Sequence, residues 1–326
     1  MTLPNLVLPA VGLAEQLHRI IQPGLGLGTS SAIVGEANSG DYTYAIDEQA
    51  ERAIGPIVDA LGKQHGLRLA YYSEDRGLVE VHADPQYVLV VDPIDGTRPS
   101  VCGLESCCVS VAMAPLDGKT TLGNVCSACL VEIKSGHMIY ADNAGYLRTH
   151  AARGENDYGR SLSSKTDVSK MFWATEMCGR PTQATHAVLG DLTNASSFAG
   201  ACFVFNSSSY AISRVVKGQL DAYVDFYAVL LRREGAQKWE ALSRSLFQNK
   251  LFGLFPYDIA AAAFIAKQAG AFVCDGFGQS LDGLQLLDSS SKAISSAIVA
   301  GNENLGTQIL RYLERGYKNA DKLVLE

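Results

Sequence analysis

The segment Val88-Leu-Val-Val-Asp-Pro-Ile-Asp-Gly-Thr97 brings a run of apolar residues straight into two carboxylates, Asp92 and Asp95. Pro93 stiffens the backbone between them and Gly96 frees it just beyond. A turn of this composition points both carboxylates into one space and exposes the Ile94 carbonyl with the Gly96 and Thr97 amides. Carboxylates plus a carbonyl form the oxygen-rich set that Mg2+ prefers, and amides at a helix start cradle a phosphate. The rival reading is a surface Asx-type turn in which both aspartates bond only backbone. Other acids accompany the pair. Ser73-Glu74-Asp75 follows a strand-like run upstream, Asp41 and Asp47 lie upstream again, and Pro256-Tyr-Asp258 sets an acid at the start of a strongly apolar helix. There the alternative is a plain helix cap.

These acids need elements to carry them. Residues 6–21 have helical spacing and end at Pro23-Gly24. Gly24-Leu-Gly-Leu-Gly-Thr-Ser-Ser superficially resembles a phosphate loop, but it follows a helix and leads into polar sequence, so it reads as a mobile loop. Residues 47–64 return to helical period, with Asp47 placed as a cap. Strand signals follow at 67–72, at a hairpin near 78–82, and at 87–91. Two long β-rich runs, 106–114 and 121–133, join through a turn at Leu116-Asp-Gly-Lys, and 138–141 pairs back onto the second. The polar stretch 150–170 is the candidate linker. Beyond it, strands near 172–175 and 201–205 alternate with helices near 209–217 and 257–269, an α/β pattern.

The bulk numbers narrow the function classes. The chain has 326 residues, 47% apolar and 19% charged with ten prolines, which is ordinary globular composition. The formal net charge of −7 and the lack of a basic run argue against nucleic acid. An acidic balance suits a phosphate-processing enzyme only if bound cations supply the missing positive charge. No apolar run reaches membrane-span length and the N-terminus lacks signal-peptide features, so no membrane partner and a cytoplasmic setting are expected. Eight cysteines are then read as reduced thiols. Cys126 and Cys129 have C-x-x-C spacing, but with no second pair nearby they read as buried residues rather than a zinc half-site.

Asp-Pro-Ile-Asp-Gly-Thr at 92–97, and Asp-Ile-Ala-Ala-Ala-x-x-Ile-Ala-x-x-Ala-Gly-Ala beginning at Asp258, together resemble the inositol monophosphatase family. That family belongs to the lithium-sensitive phosphatases, with fructose-1,6-bisphosphatases and nucleotide 3′-phosphatases. The resemblance runs from about Asp41 to Asn302. It implies an α+β / α/β fold of alternating α-β-α-β-α layers. Residues 1–150 are expected as an N-terminal α+β domain carrying the acidic motifs, and 151–326 as a C-terminal α/β domain that adds the last metal ligand. A homodimer is implied as well.

Roles follow residue by residue from the same resemblance. Glu74, Asp92 and the Ile94 carbonyl would hold the Mg2+ that acidifies the attacking water. Asp92, Asp95 and Asp258 would hold a second ion beside the leaving oxygen, and a third is compatible with Glu74. Thr97, bonded to Asp47, would orient and deprotonate the water, while Gly96 and Thr97 amides bind phosphate. Asp95, Ser207, Ser208 and Asp225 fall where relatives contact substrate hydroxyls, although serine caps and a surface acid are the alternatives for the last three.

Several positions depart from the family pattern. Asn206-Ser207-Ser208 replaces Gly-Ser/Thr-Ala, apolar residues near Phe203 replace an Arg, Tyr257 replaces a Trp, and Arg98-Pro99 replaces Thr-Asn. Roughly thirty residues separate Asp225 from Asp258, with Arg232, Arg233 and Lys238 among them. This insertion is open to three readings: a second-phosphate contact, a pocket cover or an oligomer surface, with solvated cations as the plain alternative. The expected activity is Mg-dependent hydrolysis of a small polyol or sugar phosphate, inositol-1-phosphate first. Fructose-1,6-bisphosphate or a nucleotide 3′-phosphate comes second. A catalytically dead, metal-dependent binding protein is the non-enzyme alternative, and the presence of every acidic position with Thr97 argues against it.

Overall fold

The computed structural model describes residues 6–37, 42–150 and 161–323. Helix α1 (Val7–Ile21) buries Ala10, Leu13, Ala14, Leu17 and Ile21 along one stripe, the spacing of an amphipathic helix. Strands β1 (Ile33–Glu36) and β2 (Tyr42–Tyr44) form an antiparallel pair. Helix α2 (Ala45–His65) lies against α1 and ends on Gly66 at φ 66°, the left-handed C-terminal position that glycine adopts without strain.

A seven-stranded sheet follows, built from β3 (Leu69–Ser73), β4 (Gly77–Glu80), β5 (Tyr87–Asp95), β6 (Cys108–Pro115), β7 (Ser127–Glu132), β8 (Met138–Asp142) and β9 (Leu147–His150). Its order is β4-β3-β5-β6-β7-β8-β9. Only β3 and β5 pair in parallel. The short helix α3 (Thr97–Val101) hangs from the end of β5.

The second sheet comes from β10 (Phe172–Thr175), β11 (Ala201–Val204), β12 (Ala222–Asp225), β13 (Phe272–Cys274) and β14 (Ala297–Ala300), in the order β11-β10-β12-β14-β13. Its helices are α4 (Thr182–Ser196), α5 (Ser208–Val216), α6 (Tyr227–Leu230), α7 (Ala236–Leu246), α8 (Pro256–Gln268) and α9 (Glu303–Lys322).

Five layers result. Helices α1 and α2 cover the outer face of the seven-stranded sheet, and α4 and α9 cover the outer face of the five-stranded one. Helices α5 and α8 lie between the two sheets. Ile259 through Ala266 are all buried, as a helix enclosed on every side must be, and its alanines allow close approach. This is the α-β-α-β-α sandwich expected from the sequence.

Three local readings change. The strand expected at 87–91 continues to Asp95, because Pro93 and Ile94 are taken up as an irregularity between Asp92↔Ser110 and Asp95↔Cys108. The break is a bulge rather than a turn, and the turn itself sits at Gly96, φ 93°. The run 121–133 is not one strand, since Leu122–Asn124 is a 3-10 turn and β7 begins at Ser127. The glycine-rich loop is tied down: Gly26 donates to Ser100 O at 3.0 Å and lies against Gly103, where a Cβ would come within 2.9 Å. Within the candidate linker, 151–160 lies outside the described residues. Ser163 and Lys165 are fastened to the second sheet through Asp221. Asp41 also lies outside the described residues. Among the described residues no helix is long and apolar enough to cross a membrane.

Candidate active site

Strands β3 and β5 run side by side in parallel with Ser73 opposite Val91, so Glu74 and Asp92 come to the same end of the sheet. Asp92 is 6% exposed, and its Oδ1 accepts the Ile94 N–H at 3.0 Å. The bulge then carries Asp95 to the same end, 8% exposed. Its Oδ2 takes the Ser209 N–H at 2.5 Å and the Ser208 hydroxyl at 3.2 Å. Asp258 arrives from the other half at the third position of α8, where its Oδ2 accepts the Phe255 N–H at 2.7 Å. A carboxylate in a helix's first turn is stabilised by the helix dipole.

Glu74, Asp92, Asp95 and Asp258 line one cleft of about 130 Å³, together with Ile94, Gly96, Thr97, Ser207 and Ser208. Burial raises Asp92 and Asp258 well above the carboxylate range, and neighbouring acids raise them further: Asp95, Asp258 and Glu74 for Asp92, Asp95 and Glu74 for Asp258. Burial likewise raises Asp95 to about 6, against the pull of its Ser209 bonds. Crowded buried carboxylates of this kind need cations to offset them.

Asp47 stands at the third position of α2, behind the cleft. Its Oδ2 accepts the Tyr44 N–H at 2.9 Å and its Oδ1 takes the Thr97 hydroxyl at 3.3 Å. The same hydroxyl lies 3.2 Å from Ile94 O. Burial lifts Asp47 to about 8, the Tyr44 bond opposes this, and Glu74 adds to it.

The donor set suits a hard cation: four carboxylates and a carbonyl, with no cysteine or histidine on the lining. Among the described residues no three such side chains already stand in ligand geometry about one point. Each of the three cleft aspartates has one oxygen turned to a backbone N–H, from Ile94, Ser209 and Phe255 in turn.

The remaining predicted residues divide. Ser207 caps α5, accepting from Tyr210 N and donating to Asp95 O, both at 3.2 Å. Ser208 donates to Asp95 Oδ2 and to Asp258 O at 3.1 Å. Asp225 does not line the cleft. It is 2% exposed, its Oδ2 pairs with Arg180 and its Oδ1 accepts the Tyr227 N–H, so its carboxylate is committed within the protein rather than presented to a ligand.

The 226–256 insertion supplies a wall of the cleft through Phe252, Gly253, Leu254 and Phe255. Its cations face elsewhere, with Arg232 on Ile294 O, Arg233 on Glu314 and Asp321, and Lys238 on carbonyls of the last helix. That removes the second-phosphate reading for them.

Sequence reasoning missed Glu176 and Arg180, which also line the cleft. The signal was an acid directly after the apolar strand β10, the same arrangement as Glu74 after β3.

The model of the inositol monophosphatase family matches residues 5–315. The chain belongs to the inositol monophosphatase family. It is similar to the fructose-1,6-bisphosphatase/inositol-1-monophosphatase of Methanothermobacter thermautotrophicus, at 24% identity over 94% of this chain and 95% of that one. An inositol-1-monophosphatase of Mesorhizobium japonicum is 25% identical over 85% and 84% of the two chains. Among solved structures, the extragenic suppressor protein suhB from Bartonella henselae superposes with a TM-score of 0.67 at 18% identity, covering 94% of this chain and 98% of that one. Membership in this family makes the chain a phosphoric monoester hydrolase.

Proposed function

We propose that this member of the inositol monophosphatase family hydrolyses a small polyol monophosphate, inositol-1-phosphate foremost, with Mg2+ held by Glu74, Asp92, the Ile94 carbonyl, Asp95 and Asp258. The observation that carries this reading is the joining of two halves on one cleft. Thr97 lines that cleft together with four carboxylates carried by three separate elements, and Asp47 accepts the Thr97 hydroxyl from behind it. Cations bound there supply charge neutralisation and a more acidic water. The protein's own part is to orient that water through the Thr97 hydroxyl, draw its proton toward Asp47, and hold phosphate on the Gly96 and Thr97 amides. Ser207 and Ser208 act by fixing Asp95 and Asp258 rather than by reaching substrate. The name of the Methanothermobacter relative favours fructose-1,6-bisphosphate as the second reading.

The homodimer and the cytoplasmic setting expected from sequence go with this reading. Cys126 and Cys129 are buried, in keeping with packing rather than zinc.

Phosphate release should require a divalent metal, vanish with chelator and return with Mg2+, across a panel of polyol, sugar and nucleotide phosphates. Turnover undiminished after exhaustive chelation would overturn the metal assignment.

A further inference from the structure

The loop between β10 and α4 lends the cleft two buried groups that the reaction scheme does not use. Glu176 is 7% exposed and Arg180 8%, and both line the cleft. Arg180 sends Nη2 to Asp225 and Nη1 to Cys178 O at 2.7 Å. Its Nε–H makes no hydrogen bond among the described residues, and neither does Glu176 Oε1. A buried donor and a buried acceptor without partners are each costly, so their survival side by side on a ligand-sized cleft asks for a partner that brings both functions. A hydroxyl is such a partner, since it donates to a carboxylate oxygen and accepts from a guanidinium N–H.

The loop is held in place from outside. Thr175 bonds Val224 O at 2.7 Å. Gly179, at φ 70°, lies so close under Phe252 that a Cβ would come within 2.3 Å of it. The insertion therefore clamps the loop that carries both groups.

We propose that Glu176 and Arg180 are the residues of this cleft that recognise neighbouring hydroxyls on the alcohol part of the substrate, with Asp225 a positioning residue that holds the guanidinium. This deepens the polyol phosphatase reading and rests on it. The charge count decides against a second phosphate. Asp225 already balances Arg180, and Glu176 adds a further acid, so the three leave no positive charge for another anion. The other cation on the lining, Arg98, directly follows Thr97, whose amide is assigned to the phosphate that is cleaved. A polyol monophosphate fits this wall and a bisphosphate does not.

The test compares kcat/KM for inositol-1-phosphate with kcat/KM for 4-nitrophenyl phosphate, which lacks the hydroxyls, under saturating Mg2+. Glu176→Ala should lower the ratio of the two by about 10- to 100-fold, mainly through KM for the polyol ester. Glu176→Gln should recover most of the loss. Arg180→Lys, which keeps a cation for Asp225 but removes the Nε–H, should lower the ratio as well, and it serves where the alanine variant does not fold. General loss of structure or of metal chemistry leaves the ratio at its wild-type value. An unchanged ratio in both Glu176→Ala and Arg180→Lys overturns the proposal, as does wild-type enzyme that prefers fructose-1,6-bisphosphate to the monophosphate. If wild-type protein releases phosphate from no ester, the phosphatase reading itself falls. Calorimetric binding of inositol-1-phosphate to the same variants then judges the wall separately: weakened binding supports it, and equal binding overturns it.

Discussion

Thr97 has one hydroxyl proton and two acceptors in reach, Asp47 Oδ1 and Ile94 O. A proton shared between a carboxylate and a carbonyl leaves the oxygen's lone pairs for a water on the cleft side. Removing the hydroxyl in Thr97→Ala leaves the backbone amide and the carboxylates in place. The turnover number should fall by the roughly 10²–10⁴-fold typical of lost general-base chemistry, with KM nearly unchanged. Asp47→Asn should give a similar loss, and the double variant much less than the product, because the two groups act as a unit. Steady-state kinetics on the four enzymes check this. A Thr97→Ala enzyme with near-normal kcat would leave the pair a merely structural contact.

At the level of elements, the decisive piece is the end of β5. Its bulge sets Asp92 and Asp95 on the same side, and Gly96 at φ 93° then turns the chain into α3. A Cβ there would meet Ser106 O at 2.5 Å and Ser207 Cβ at 2.9 Å. Gly96→Ala therefore strains the backbone and pushes on the start of α5, the segment whose Ser208 and Ser209 hold Asp95. We expect a loss of kcat/KM of at least tenfold and a fall in stability of about 1–3 kcal/mol, the usual range for a backbone made incompatible with its residue. Phosphate release and a thermal melt measure the two effects. Wild-type activity would mean that the close approach of α5 is not needed.

Across the whole molecule, buried charge ties the seven-stranded sheet to α5, one of the two helices between the sheets. Glu132 on β7 accepts from Arg214 and, at 2.5 Å, from Lys217, both near the end of α5. Glu132→Ala would leave two cations buried without their carboxylate, which should cost about 3–5 kcal/mol. Urea unfolding checks this, and a loss below about 1 kcal/mol would show that water reaches the pair.

Acidity is the second global lever. Burial holds Glu51 up at about 7 and Glu176 at about 8, whereas both titrate at about 4.3 in an unfolded chain. Between those values the native protein keeps protons that the unfolded chain has released, so stability falls as pH rises through the window. In chelator, the melting temperature should drop by several degrees between pH 5 and pH 8. A rise over that range would contradict the burial of these groups.

What the sequence determined by itself was local. The apolar run into Asp92, the Pro93–Gly96 spacing, the acid at the head of α8 and the helical stripe of α1 are patterns within a few residues. They follow from strand and helix period and from the backbone habits of proline and glycine. Tertiary structure decided the partners. Ser208 reaches Asp95 across 113 residues of chain and Arg180 reaches Asp225 across 45, so Asp225, which reads as a substrate contact in the sequence, is instead the counter-charge of an arginine. Glu176 carries no mark in the sequence beyond an acid after a strand. Such pairings depend on how the two sheets stack about α5 and α8, which is settled by side-chain packing over the whole core rather than by the spacing of any one segment.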